Sequence, residues 1–96
     1  MGFVTSEVIA IDTASKQLMK LELVLSLAEE VKNPPEKFKL LIDNARAFLN
    51  EKKSWLDQVL KGVFDLGPSI IVSAGRIEAE AVIAVDLIEK YLKELS

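Results

Sequence analysis

Residues 38–63 read FKLLIDNARAFLNEKKSWLDQVLKGV, and this stretch decides the fold. At roughly 100° per residue, Phe38, Leu41, Ile42, Ala45, Phe48, Leu49, Leu56, Val59, Leu60 and Val63 gather on one side. Lys39, Asp43, Arg46, Asn50, Lys53, Asp57 and Lys61 gather on the other. One apolar face and one charged face at helical period describe a helix lying against a core. The phase runs through Glu51-Lys52-Lys53-Ser54 without a slip, so one continuous helix is expected.

Punctuation bounds this helix on both sides. Upstream stands Asn33-Pro34-Pro35-Glu36. Asn is a favoured N-cap, Pro suits a first helical turn, and Glu36 falls at the capping-box distance from Asn33. Downstream stands Gly67-Pro68-Ser69, where Gly can take the left-handed conformation that ends one helix and Pro can open the next. At the front, Thr5 or Ser6 caps a first helix whose dipole Glu7 complements. The spacing therefore predicts an all-α fold: an antiparallel bundle of three long helices near 5–32, 35–65 and 69–95, forming one domain over 1–96.

The outer helices read differently from the middle one. In the first, Ile11, Ala14, Leu18, Leu21 and Leu25 form one stripe, and Leu23, Val24, Leu27 and Val31 form another nearly opposite. Leu21, Leu23, Leu25 and Leu27 also alternate as in a strand, but Leu, Glu, Ala and Lys favour helix. In the third, Ile70, Ala74, Ile77, Ala81, Ala84, Ile88, Tyr91 and Leu95 form a heptad-like seam. Ala79, Val82, Ile83, Val85 and Leu87 surround its middle, leaving Glu80 and Asp86 to keep that stretch wet.

A three-helix monomer needs one apolar stripe per helix. The outer helices carry about two each, a surplus that soluble monomers rarely expose. Self-association through these helices is the expected solution, with the middle helix left most solvent-facing. The expected interface is Leu23, Leu27, Val31, Ile77, Ala81, Val82, Ala84, Val85 and Ile88. Ser73, Ala74, Gly75, Ala79, Ala81 and Ala84 are small enough to let two backbones approach there. Domain exchange between copies is a variant of the same idea.

Composition removes many chemistries. The chain has 96 residues, 50% apolar and 28% charged, with a formal charge of −3. It has neither Cys nor His, so thiolate chemistry, cysteine-based zinc or iron–sulfur sites and Glu-x-x-His di-iron sites have no ligands. Four glycines at 2, 62, 67 and 75 cannot form a phosphate-binding loop. The longest purely apolar runs, Val8–Ile11 and Ala81–Val85, are far short of the ~20 residues that cross a bilayer, and no secretory leader is apparent. A soluble, intracellular, cytoplasmic protein is expected, without cofactor, metal or membrane partner. Few Asn and Gln beside many Lys and Glu lean towards a thermophile-like composition.

Candidate polar sites are sparse. Lys52 falls within the apolar arc between Phe48 and Trp55. A buried Lys can act as a base, but the plainer reading lays its stem along the core and its ammonium towards a carboxylate. Glu22, Ser26 and Glu29 share one side of the first helix, and Glu78 and Glu80 flank Ala79. Carboxylates can hold a cation, yet without a shaped loop a solvated face is the plainer reading. Trp55 is an edge of the core or an interface anchor. Six basic residues on the middle helix (Lys37, Lys39, Arg46, Lys52, Lys53 and Lys61) are interspersed with Glu36, Asp43, Glu51, Asp57 and Asp65, which disfavours nucleic acid.

No enzyme is expected, and no catalytic, cofactor-binding or metal residue is assigned. The expected role is a non-catalytic, homo-oligomeric structural, scaffolding or assembly component. A small regulatory adaptor that receives another protein's helix is the alternative. A carrier of an apolar ligand held between helices comes third.

Overall fold

Three helices account for nearly all the residues described by the computed structural model, which are 5–62 and 67–95: α1 (Ser6–Glu29), α2 (Glu36–Leu60) and α3 (Pro68–Leu95). The molecule is a rod of 50 × 20 × 19 Å. Its long axis follows from helices of up to 28 residues, roughly 42 Å at 1.5 Å per residue.

The caps explain where each helix begins and ends. Thr5 has extended backbone angles, and its Oγ1 accepts a hydrogen bond from the Val8 N–H at 3.2 Å. At the other end of α1 the Glu30 and Val31 N–H groups donate to the Leu27 and Ala28 carbonyls at 3.2 and 3.1 Å, tightening the last turn. The helix stops at Glu29, short of 32. Asn33 does not cap α2. It sits in the left-handed region at φ 52°, and Pro35 holds the N-cap position without any side-chain hydrogen bond. The expected capping box is thus absent, because Asn33 is spent on reversing the chain. At the far end of α2, Gly62 rather than Gly67 takes positive φ, at 78°. Its N–H donates to the Val59 carbonyl at 3.1 Å. The helix accordingly ends at Leu60, and Val63, expected on its dry face, lies outside the described residues. Pro68 opens α3 as its spacing predicts, and the Gly67 carbonyl accepts from the Ile70 N–H at 3.0 Å.

Side-chain pairs fix the helix directions. Glu22 meets Lys53 and Glu29 meets Arg46, so advancing two turns along α1 retreats two turns along α2. Phe38, at the start of α2, stacks at 5.4 Å on Tyr91, near the end of α3. Both successive pairs are therefore antiparallel, and α1 runs parallel to α3. These two outer helices pack closest together, with α2 laid upon them and standing off from α3.

The core follows this arrangement. Ala14, Leu18, Leu21, Leu25 and Ala28 of α1 meet Ala74, Ile77, Ala81, Val85 and Ile88 of α3, and Phe38, Ile42, Ala45 and Leu49 of α2 close the third side. Ala14, Ala28, Ala74 and Ala81 let the two parallel backbones come near. Ile11, Val59 and Ile70 form a second cluster at the end where α1 starts, α2 finishes and α3 starts. Trp55 and Leu56 pack against both clusters. No side-chain polar atom is buried without a hydrogen bond among the described residues. Leu60, expected on the dry face of α2, is 69% exposed at the helix end.

Candidate functional surface

Leu23 and Leu27 point outwards, 70% and 59% exposed, and Val82 is exposed as well. Val31 and Ala84 are half-buried against the core. Ile77, Ala81, Val85 and Ile88 are not surface at all: they are buried against α1 within the same chain. Their place in the interface is corrected on that ground, since a side chain filling its own core offers nothing to a docking partner. Val24 likewise joins the core rather than the second stripe of α1. Of the small residues, Ala74 and Ala81 allow a close approach between α1 and α3 of one chain, whereas a Cβ built on Gly75 meets no atom within 4 Å.

Two outer faces remain apolar. On α1, Met19, Leu23 and Leu27 stand one turn apart on the side opposite the core. On α3, Ile83 and Leu87 stand one turn apart on the outer side, and Val72 lies on that side three turns before Ile83. Of the second stripe expected on α1, Leu23 and Leu27 stay outside, and of the residues expected around the α3 seam, Val82, Ile83 and Leu87 stay outside while Val85 does not. Beside the second face runs a groove of about 220 Å³ between α2 and α3. Leu41, Ala45 and Phe48 wall it on one side and Ile83, Ala84 and Leu87 on the other, with Asn44 and Glu80 at the rim. α2 stands off from α3 along this groove, whereas alanines let α1 come close to α3. Spacing alone pointed to the stripe but not to the groove, because a gap between helices leaves no mark in either helix's own periodicity.

The polar candidates resolve into surface pairs. Lys52 lays its ammonium 5.8 Å from the Phe48 ring centroid and 3.5 Å from Glu51 Oε1, the snorkelling arrangement of a long cation. Glu22 is engaged by Lys53 at 3.0 Å, and the Ser26 hydroxyl donates to the Glu22 backbone carbonyl at 2.9 Å. Glu29 accepts from both Arg46 Nε and a terminal guanidinium nitrogen, at 3.2 and 2.5 Å. This fork raises the Arg46 pKa above its ordinary value, chiefly through the hydrogen bonds to Glu29, with the charges of Glu29 and Glu22 adding to them. On the surface, the Asp57 carboxylate raises Lys61 in the same way. Among the described residues no three acidic side chains gather into a possible metal site. No helix there is long and apolar enough to cross a membrane.

Comparison with known proteins finds no match, whether to a family model, a curated protein or a solved structure.

Proposed function

We propose that this chain is a non-catalytic, self-associating helical-bundle protein that serves as a structural or scaffolding component of an assembly. The observation that carries this reading is the set of exposed apolar residues: Met19, Leu23 and Leu27 on α1, and Ile83 and Leu87, with Val72 three turns earlier, on α3. The accessible surface, 6558 Å² for 10.6 kDa, exceeds the roughly 5,500 Å² expected for a compact monomer of that mass. A narrow rod shows more surface than a sphere, and here part of that surface is leucine and isoleucine. At about 25 cal/mol per Å², covering ~600 Å² per copy is worth on the order of 15 kcal/mol per copy before association costs.

The test is molar mass by size-exclusion chromatography with light scattering over a hundredfold range of concentration. A mass of two or more chains, held on dilution, is expected. A well-folded single chain at every concentration would overturn the reading. The α2–α3 groove favours a second reading, an adaptor that receives another protein's amphipathic helix. That reading requires the isolated chain to remain monomeric or only weakly dimeric, so the same measurement separates the two.

A further inference from the structure

We propose that a second copy of this chain docks over the α2–α3 seam, its α3 antiparallel to the first and in one defined register. This rests on the self-association reading above and says which surface performs it.

The register is written on the outer face of α3. Arg76, Glu80, Ile83, Leu87, Lys90 and Glu94 are all exposed and follow one another at intervals of four, three, four, three and four residues. That alternation is the seam of a coiled coil. It is distinct from the buried stripe through Ile77, Ala81 and Ile88 that faces α1. Read along the stripe, the pattern is cation, anion, two apolar residues, cation, anion. Turned end for end, each charge meets its opposite: Arg76 faces the partner's Glu94, Glu80 faces the partner's Lys90, and Ile83 packs on the partner's Leu87. All three contacts fall in a single register, and the two-fold axis repeats each of them. A parallel, in-register pair would set every charge against its like, so the charges select orientation as well as attract.

Two further observations converge on this stripe. Arg76, Glu80, Lys90 and Glu94 make no ion pair among the described residues, whereas Asp12–Lys16, Glu29–Arg46, Glu51–Lys52, Glu22–Lys53 and Asp57–Lys61 all lie on α1, α2 or the turn that ends α2. The groove beside Ile83 and Leu87 also has the shape the contact needs: Leu41 and Phe48 form a wall against which the partner's Ile83 and Leu87 can settle. The partner's α3 then closes the seam that α2 leaves open. The outer face of α1 offers less, because one of its flanking cations, Lys16, is already held by Asp12 at 3.0 Å.

Sedimentation equilibrium on the full chain and its variants tests the register. Ile83 is 59% exposed, so Ile83→Glu should keep its far-ultraviolet circular dichroism. Its dimer dissociation constant should rise on the order of a hundredfold or more. Arg76→Glu and Glu94→Arg should each weaken the dimer about tenfold through two symmetry-related contacts. Combined in one chain, these two reversals should restore most of the affinity. Loss of affinity in both single variants without recovery in the double would overturn the antiparallel register. A wild-type multimer indifferent to Ile83→Glu would overturn this interface and leave self-association standing; its loss in Leu23→Glu would then place the contact on α1. A single-chain wild type at every concentration would overturn both readings.

Discussion

The α1–α3 contact and the α2–α3 seam join helices of similar length, yet one is closed and the other gapes. Along α1–α3 the facing residues include Ala14, Ala28, Ala74 and Ala81, and the parallel backbones draw together until leucines and isoleucines fill what is left. Across α2–α3 Phe48 lines one open groove and Lys52 and Trp55 another, and none of the three is fully buried. The difference teaches that apolar content does not decide closure. Small residues matter where they recur along the contact: four alanines serve α1–α3, whereas in the α2–α3 groove Ala45 and Ala84 stand among Leu41, Phe48, Ile83 and Leu87.

The harshest way to break the contrast is a charge at the closed contact. Ala81→Glu places a carboxylate where nothing can solvate it, and a loss of about 3–5 kcal/mol is expected. In a chain this short that is a fall in melting temperature of at least ~12 °C, read by circular dichroism. Next comes truncation on the two faces of α1. Leu25→Ala should cost about 2–5 kcal/mol in urea unfolding, because Leu25 is fully buried. Leu27→Ala, on the outer face, should stay within ~0.5 kcal/mol. A third pair sharpens the role of size. Ala81→Leu overfills the α1–α3 contact and should cost about 1–3 kcal/mol, whereas Ala84→Leu extends into the groove and should change stability by less than ~1 kcal/mol. The smallest effect belongs to the ion pairs. Lys53→Glu replaces the pair with Glu22 by a like-charge contact and should cost about 0.5 kcal/mol, shrinking as salt is added.

The middle helix was the most legible element, since a single stripe leaves one way to face the core. Ile42, Ala45, Leu49 and Val59 are buried as their phase requires. The outer helices carried two stripes each, and periodicity cannot say which turns inwards. On α1 the stripe through Leu18, Leu21 and Leu25 did so. On α3 the buried set took Val85 and left Val82 and Ile83 outside, a choice made by packing against α1 rather than by any property of α3 alone. The turns were half legible. Asn-Pro-Pro marked the first connection and Gly-Pro the second, but Gly62 rather than the expected Gly67 takes the left-handed turn after α2. Asn33, expected as the cap, takes a left-handed turn instead: Pro35 brings its own fixed backbone angle to the helix start, and no side-chain cap is made.

That same Asn33 bears on how the molecule ages. Asparagine deamidates when the backbone nitrogen of the next residue attacks its side-chain amide and closes a five-membered imide. Pro34 has no N–H to offer, so the most irregular asparagine in the chain is shielded from this reaction by its neighbour. Asn44 and Asn50 lie inside α2, where the helical backbone holds the attacking nitrogen away from the amide. With no cysteine to oxidise, the softest covalent target among the described residues becomes the thioether of Met19, exposed on the outer face of α1. Prolonged incubation at high temperature in air should add oxygen at Met19 before it converts Asn33, as peptide mapping by mass spectrometry will report.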